Sequence, residues 1–372
     1  MKKIIKKIIC NYRLLTYYNK SKTILLVTHD MGLSGAPIVL LNLACTLKKN
    51  GYSVLILADR NGPLLEECKK LSIPVIIAYD FNECKNLEYF LSKFETIIVN
   101  TIVNVKIITI LNNTDKKVIW WIHEGKTYID KYIGDVPEKI LNNIHIYCVG
   151  NYVYQILNSY DKFKDLSIGI LNYGLNDQYN ISKNNDIRKN IKIRITTIGS
   201  ICKRKNQIEF IQMANKIHEQ RGNLVEFFII GNPIEEDYYK IFLEELESNK
   251  YIKYIPFMKH DEIINFIHQN DIMICTSQDD PMPVFITEAM MSQNITICNK
   301  QCGQYYYIVD KLNGFNYQLG NYIDLVDKIN YILDNITNFE VLKKESRNIY
   351  LKNFTNDVFD RKVLKALNDL NI

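Results

Sequence analysis

Short apolar runs alternate with amphipathic stretches along most of this 372-residue chain. Each run is only a few residues long and rich in Ile and Val, which favours buried strands of a parallel sheet. The predicted strands are 23–28, 54–57, 75–78, 96–99, 118–122, 146–149, 192–198, 225–230, 252–255, 272–275 and 295–298. Helical spacing predicts helices between most of them, and from Tyr322 to the end. Strands that alternate with helices indicate an α/β fold with both sheet faces covered.

A polar, asparagine-rich segment at 172–190 interrupts this pattern near the middle of the chain. Because the chain is long for a single core, two domains are expected, with the boundary in this segment. We predict a basic leader at 1–22, an N-terminal domain at 23–185 and a C-terminal domain at 186–350. The helical segment 351–372 could pack back on the N-terminal domain.

The net charge of +5 is concentrated in the leader, which carries seven Lys and Arg residues and no acid. The rest of the chain is slightly acidic, which argues against a nucleic-acid-binding body. Ile and Leu alternate with Lys in the leader at roughly helical spacing. This pattern is typical of a helix on an anionic membrane surface, through residues 1–20, or of a solvated basic tail. No run has the roughly eighteen apolar residues of a transmembrane helix, and no signal peptide is recognisable.

Nine cysteines occur without C-x-x-C pairs or zinc-ligand spacing. Several lie inside apolar runs, so we expect reduced, buried thiols in a cytoplasmic protein, with peripheral attachment to the inner face of the membrane as an option. No metal site is predicted.

The stretch 277–293 carries the strongest chemical signal. It follows an apolar strand, and Pro283 precedes a helix that begins at Val284. The free N–H groups of Val284 and Phe285 would favour an anion. Asp280 and Glu288 flank this anion site, and two acids suit the hydroxyls of a ribose and a sugar better than a phosphate. The alternative is an N-cap carboxylate and a surface Glu.

A second polar loop joins a strand to a helix at 199–207. It opens with Gly199 and carries Lys203, Arg204 and Lys205 immediately before the helix. Three basic residues at a helix N-terminus indicate a clamp for a diphosphate. A solvated basic turn is the alternative reading.

Two features of the N-terminal half point to a ligand as well. Ser34 and Gly35 lie between the first strand and its helix, where a glycine allows a ligand to approach the backbone. The loop lacks the third glycine of a dinucleotide fingerprint. His123 and Glu124 follow a central strand, at the sheet edge where α/β proteins bind ligands. A lone His is more often structural than catalytic.

These segments together resemble the retaining glycosyltransferases of family 4, which have the GT-B fold. Asp280 and Glu288 resemble the E-x7-E motif, with Asp in place of the first Glu. The segment from Gly199 resembles the G-R-x4-K-G element, with Lys205 on its lysine and Ser200 in place of its arginine. Residues 121–124 match a W-x-H-E segment, and Ser34-Gly35 match a Gly-Gly loop with one glycine lost.

The family's Gly-x-x-Glu segment is only half present, since Gly303 is followed by Tyr306 where the Glu would stand. Arg204 could supply from an adjacent position the guanidinium that Ser200 lacks.

The resemblance implies two Rossmann-like domains that face each other across a cleft. The C-terminal domain would bind a nucleotide sugar, with UDP and GDP not distinguished. Lys205, Arg204 and the amides of Val284 and Phe285 would hold the diphosphate, and Glu288 the ribose. In the family the ends of two further strands cradle the base, here at Gly231, Phe257 and Met258.

The implied reaction is sugar transfer with retention to a glycan, a lipid-linked or another acceptor, as in polysaccharide biosynthesis. Asp280 would hold the donor sugar and His123 would contact it from the N-terminal domain, whose cleft loop includes Ser34, Gly35 and Glu124. Neither a metal nor a cofactor is expected. The alternatives are a non-catalytic partner subunit and a nucleotide-sugar epimerase or hydrolase on the same fold.

Overall fold

The computed structural model describes residues 13–14, 23–179 and 192–372. The chain divides into two compact units, which we call unit 1 (Met1–Gly174 with Asp357–Ile372) and unit 2 (Leu175–Asn356). The predicted leader helix and its membrane contact lie outside the described residues, and so does most of the asparagine-rich segment.

The strands are short and most of them are buried, as their Ile-rich and Val-rich sequences predict. They are β1 (Thr23–Asp30), β2 (Ser53–Arg60), β3 (Val75–Ile77), β4 (Thr96–Asn100), β5 (Lys117–Ile122), β6 (Ile144–Cys148), β7 (Ile168–Ile170), β8 (Ile193–Ile198), β9 (Val225–Ile230), β10 (Ile252–Ile255), β11 (Ile272–Cys275), β12 (Ile295–Asn299) and β13 (Phe315–Tyr317).

The α-helices alternate with these strands and cover their faces. They are α1 (Gly35–Lys49), α2 (Leu64–Lys70), α3 (Leu87–Ser92), α4 (Val105–Leu111), α5 (Lys126–Tyr132), α6 (Asn151–Asn158), α7 (Gln207–Arg221), α8 (Glu236–Glu247), α9 (His260–His268), α10 (Val284–Met291), α11 (Tyr322–Asp334), α12 (Glu340–Asn353) and α13 (Asn356–Asp369).

Unit 1 contains a parallel sheet with the strand order β3-β2-β1-β4-β5-β6-β7. The strand order reverses between β1 and β4. The carboxyl ends of strands at such a switch point are where open α/β sheets bind ligands. At these carboxyl ends, His29 lies near the end of β1, Thr101 follows β4 and His123 follows β5.

Unit 2 repeats the scheme with the order β10-β9-β8-β11-β12-β13, again parallel. Its switch point lies between β8 and β11, and the loops after these strands carry Lys205 and Asp280. At the end of β9, Gly231 packs against the backbone of the neighbouring loop. A Cβ there would lie 1.9 Å from the carbonyl oxygen of Gly199, so only glycine lets β8 and β9 end side by side.

Helix α13 belongs to unit 1. Thr46 donates a hydrogen bond to Asp360 at 2.7 Å, and Lys362 donates to the side-chain oxygen of Asn172 at 2.6 Å. Phe359 stacks on Trp121 with ring centroids 5.9 Å apart. The last helix of the chain therefore packs against the core of unit 1.

The structure divides the chain at different residues from those predicted. The first division follows Gly174 rather than 185, because Leu175 already donates a backbone hydrogen bond to Phe354 of unit 2 at 2.7 Å. The second follows Asn356 rather than 350, because α12 continues to Asn353.

Three further features differ from the expectation. The short strands β7 and β13 were not predicted, since three residues carry too little pattern. The helical pattern after Tyr322 is broken into three helices by segments at 335–339 and 354–355. Cys84 is disulfide-bonded, so the expectation that every cysteine is reduced is wrong. Within the described residues, no helix is both long and apolar enough to cross a membrane.

Candidate functional site

The structure brings together Lys205 and Asp280, which are far apart in sequence. Their side chains form an ion pair, and both are largely buried. Lys205 ends a 3-10 turn after β8, and Asp280 lies in the loop between β11 and α10. Because β8 and β11 are neighbouring parallel strands, the loops that follow them lie side by side at the carboxyl edge of the sheet. The aliphatic part of Lys205 passes 3.4 Å from the position that a Cβ on Gly199 would occupy.

Arg204 fastens these two loops together. Its guanidinium donates to the carbonyl oxygen of Asp279 at 2.5 Å, and its own carbonyl accepts from the amide of Gln278 at 2.8 Å. Thr276 adds a hydrogen bond to the carbonyl of Lys205 at 3.1 Å. Arg204 therefore has a role in positioning the Asp280 loop, and its predicted contact with a diphosphate stays a prediction.

Asn206 lets the basic turn lead directly into α7. It adopts the left-handed conformation, with φ 53° and ψ 48°, at the place of the last glycine in G-R-x4-K-G. Asn tolerates this conformation better than most residues other than glycine. Its amide donates at 2.6 Å to Glu209, a buried side chain that also accepts from the amide of Gly320 at 2.8 Å. Burial raises the pKa of Glu209 to about 7. The sequence analysis had not identified Glu209.

The loop after β12 holds the backbone of Asp280 through two hydrogen bonds. Its amide donates to Gln301 and its carbonyl accepts from Gly303, each at 2.9 Å. A Cβ on Gly303 would lie 1.8 Å from the carbonyl oxygen of Pro281, so a larger residue would displace the Asp280 loop. The segment that resembles Gly-x-x-Glu therefore retains the glycine that the packing requires. It lacks only the carboxylate.

Helix α10 begins at Val284, as predicted, and Pro283 gives it no side-chain cap. The first amides of a helix, here those of Val284 and Phe285, have no acceptor within the helix. The carbonyl of Pro283 accepts from the buried Gln304 at 2.8 Å, and the same amide donates to Thr287 at 2.8 Å. This end of α10 is therefore a fixed N-terminus that can accept an anion.

Glu288 lies in α10 with only 4% of its side chain exposed. Its Oε1 is 2.7 Å from Nε2 of His260, the first residue of α9. The hydrogen bond to Glu288 raises the pKa of His260, and partial desolvation of the imidazole opposes this by a smaller amount. His260 is a site residue that the sequence analysis missed, because a single His after a strand carries no recognisable motif.

The residues predicted to contact a base lie at the ends of β9 and β10. Gly231 accepts a hydrogen bond from the hydroxyl of Tyr254 at 3.0 Å. Phe257 is 73% exposed, which is unusual for a Phe, while Met258 is partly buried. An exposed ring beside a glycine turn is suited to stacking against a flat heterocycle.

In unit 1, His123 and Glu124 lie at the carboxyl end of β5, as predicted. Glu124 accepts hydrogen bonds from the amides of Ile102 at 3.0 Å and His123 at 3.1 Å. Burial nevertheless raises the pKa of Glu124 to about 7. Burial, and then the nearby His29, lower the pKa of His123 to about 3, so its imidazole is neutral at physiological pH.

Several buried polar atoms at this edge of unit 1 have no hydrogen-bond partner among the described residues. They are His29 Nδ1, Asn100 Oδ1, Thr101 Oγ1 and His123 Nε2. Thr101 also has φ 74° and ψ 155°, a conformation that a β-branched residue rarely adopts. Buried polar atoms without partners and backbone strain both occur preferentially at ligand sites.

Ser34 and Gly35 begin α1 beside this edge. Ser34 is the N-cap residue but makes no side-chain cap, and a Cβ on Gly35 would meet nothing within 4 Å. Packing within the protein therefore does not require a glycine at this position.

The edge of unit 2 can thus hold an anion and hydroxyls: a cation and helix amides suit phosphates, and buried carboxylates suit a diol. Among the described residues, no group of three or more His, Cys, Asp or Glu side chains could hold a metal ion.

Two protein-family models match the chain. One, described as glycosyl transferases group 1, matches residues 177–349, and the other, described as glycosyl-transferase family 4, matches residues 20–143. The first match covers most of unit 2, and the second lies within unit 1. A comparison with curated proteins found no match.

Solved structures show the same fold over nearly the whole chain. A glycosyltransferase from Rickettsia africae ESF-5 is 18% identical, with a TM-score of 0.77 over 95% of this chain and 99% of that one. Anabaena Alr3699/HepE in complex with UDP and glucose is 14% identical, with a TM-score of 0.76 over 94% and 100%. A mutant of S. aureus TarM in complex with UDP, fondaparinux and α-GlcNAc-glycerol is 12% identical, with a TM-score of 0.67 over 94% and 99%. The predicted fold class, two Rossmann-like units with parallel sheets, is confirmed.

Proposed function

Because the chain belongs to the group 1 glycosyltransferases of family 4, with the GT-B fold, we propose that unit 2 binds a nucleoside-diphosphate sugar and that the enzyme transfers the sugar with retention. Lys205 and the first amides of α10 hold the diphosphate. Glu288 accepts hydrogen bonds from the ribose hydroxyls, and Asp280 from the donor sugar. The solved complexes of HepE with UDP and glucose and of TarM with UDP support a nucleotide donor for this fold.

The reaction replaces one C–O bond by another. An acceptor hydroxyl attacks the anomeric carbon, and the bond from that carbon to the diphosphate oxygen breaks. The acceptor proton passes to the departing phosphate oxygen, and the nucleoside diphosphate leaves. Charge develops on the diphosphate in the transition state, where fixed donors such as Lys205 and helix amides stabilise it most.

The observation that carries the proposal is the Lys205–Asp280 ion pair beside the N-terminus of α10. Both side chains are largely buried, with 16% and 9% exposed. Holding two charges there costs desolvation energy that a structural role alone repays poorly. A ligand that brings a diphosphate and a hydroxyl would give each of the two groups a partner of its own.

The test is a turnover assay of the full chain with UDP-sugars and GDP-sugars and a mixture of glycan and lipid-linked acceptors. We expect release of nucleoside diphosphate that depends on one donor and on an acceptor, and a product whose anomeric configuration, read by NMR, equals that of the donor. An inverted product would refute retention. Donor conversion without an acceptor would favour an epimerase or hydrolase.

We also propose that the acceptor site lies in unit 1.

The basic leader is proposed to hold the protein at an anionic membrane. Seven basic residues are present in 1–22. Each basic residue near such a surface contributes on the order of 1 kcal/mol to binding. Removing residues 1–20 should abolish co-sedimentation with phosphatidylserine vesicles at low salt and leave activity on a water-soluble acceptor. Failure of the full chain to co-sediment would refute the membrane proposal.

A further inference from the structure

We propose that His260 is a positioning residue that fixes Glu288 for the ribose and thereby makes the enzyme selective for ribonucleotide over deoxyribonucleotide donors. This inference rests on the proposed donor site in unit 2. It concerns a residue to which neither the sequence motifs nor the family resemblance gives a role.

The geometry favours different partners for the two oxygens of Glu288, with His260 at one and a ligand hydroxyl at the other. A carboxylate has about four acceptor positions on two oxygens. Oε1 is occupied by Nε2 of His260 at 2.7 Å. A carboxylate that is held at one oxygen cannot rotate freely, so the other oxygen keeps a constant direction for a ligand hydroxyl. A hydrogen-bond partner of this kind orients the carboxylate and so improves its contact with a ligand, as outer partners do for metal-binding side chains.

The exposure of the two side chains supports this direction of control. Glu288 is 4% exposed, whereas 63% of the His260 side chain is exposed. A side chain that exposed has little packing role. A buried carboxylate such as that of Glu288 needs a hydrogen-bond partner. The hydrogen bond between the two side chains raises the pKa of His260, so the pair favours an imidazolium that donates to Glu288.

The place of His260 in the chain also links it to the predicted base site. The loop that leaves β10 carries the exposed Phe257 and then enters α9 at His260. The turn is fixed by Glu262, whose carboxylate accepts a hydrogen bond from the amide of Lys259 at 3.0 Å. One short loop therefore carries both the ring for the base and the donor that orients the acid for the ribose.

The test compares the dissociation constants of UDP, GDP and their 2′-deoxy forms for the full chain and its variants, measured by titration calorimetry. For the wild type we expect one ribonucleotide to bind about ten- to a hundredfold more tightly than its deoxy form, because one hydrogen bond to a charged group is lost. In His260→Ala this ratio should fall to about threefold or less, because Glu288 is no longer oriented. His260→Gln should retain most of it, because its amide can donate to Glu288.

His218→Gln serves as a matched control, because this partly buried histidine of unit 2 stacks on Tyr251 at 3.8 Å and lies at the opposite end of its helix from the basic turn. A ratio in His260→Ala equal to that of the wild type would overturn the inference and leave the donor site intact. Tighter ribonucleotide binding by His260→Ala would also overturn it, because His260 would then compete with the ribose. If the wild type bound neither nucleotide, the proposed function itself would fail.

Discussion

Both units place polar side chains at the carboxyl edge of a parallel sheet, but the two edges differ in how those side chains are satisfied. In unit 2 the charges are paired, Lys205 with Asp280 and His260 with Glu288. In unit 1 the groups are close to neutral, and buried atoms such as His123 Nε2 and Thr101 Oγ1 lack partners within the described residues.

The difference indicates two kinds of ligand. The Lys205–Asp280 pair can be exchanged for the diphosphate and a sugar hydroxyl of the donor, while Glu288 keeps its bond to His260 and accepts from the ribose through its other oxygen. A neutral imidazole and an acid whose pKa is about 7 offer no fixed charge to a phosphate. They suit uncharged hydroxyl groups, which both donate and accept hydrogen bonds. This contrast supports the proposal that unit 2 binds the anionic donor and that unit 1 binds a polyhydroxyl acceptor.

The largest effect on activity is expected from substitutions of Asp280, which disturb its ion pair with Lys205. Asp280→Glu moves the carboxylate about 1.5 Å outwards, by one carbon–carbon bond. The loop cannot retreat, because Gln301 and Gly303 hold its backbone. The kcat should fall about a hundredfold, as expected for a misplacement of about 1 Å at a reacting centre. Asp280→Asn should also lose activity, because Lys205 then lacks its counter-charge.

Initial rates and the Tm of each variant separate a catalytic loss from unfolding. Wild-type kinetics in Asp280→Asn would mean that Asp280 only caps its loop, a role that Asn fills almost as well.

The near-neutral edge of unit 1 is tested by Glu124→Gln. The pKa of Glu124 is raised from 4.5 to about 7 on folding, so the folded state binds the proton more tightly. Its contribution to stability is present near pH 5 and is lost as the pH rises through 7. From pH 5 to pH 8 the stability of the variant relative to the wild type should therefore increase by about 1–3 kcal/mol.

Urea unfolding at both pH values measures this difference, and the changes in all other groups cancel. A relative stability that is the same at pH 5 and pH 8 would show that Glu124 is an ordinary ionised carboxylate, and the contrast between the edges would weaken.

The smallest effect concerns the strained Thr101. At φ 74° and ψ 155° a residue with a Cβ costs about 1–3 kcal/mol, and only glycine adopts this region readily. Thr101→Gly should therefore leave the free energy of unfolding unchanged or raise it by about 1 kcal/mol. Thr96→Gly, in the first position of β4, the strand that precedes Thr101, should lower it. Equal destabilisation by both changes would contradict the strain at this edge.

The sequence predicted most of the fold because its strands are short Ile-rich and Val-rich runs with helices between them. It missed β7 and β13, whose three residues have no visible period. Motif spacing identified Lys205, Asp280 and Glu288, because strand, turn and helix order put them at one sheet edge.

Partners contributed by separate loops were beyond the sequence. Nothing in the local pattern around His260 indicates that it contacts Glu288, and Arg204 was expected to face a diphosphate although its guanidinium also holds the Asp280 loop. Such pairs depend on how α9, α10 and the loops pack, which only the three-dimensional structure determines.

The most direct test of the central claim is the affinity of the full chain for UDP and GDP by titration calorimetry. We predict that the wild type binds one of them and that Lys205→Ala and Glu288→Gln each weaken it about ten- to a hundredfold, the value of one charged hydrogen bond. Lys203→Ala, which alters an exposed side chain in the same turn, and His123→Ala in unit 1 should leave the affinity unchanged. Wild-type affinity in both Lys205→Ala and Glu288→Gln would contradict a donor site at the edge of unit 2.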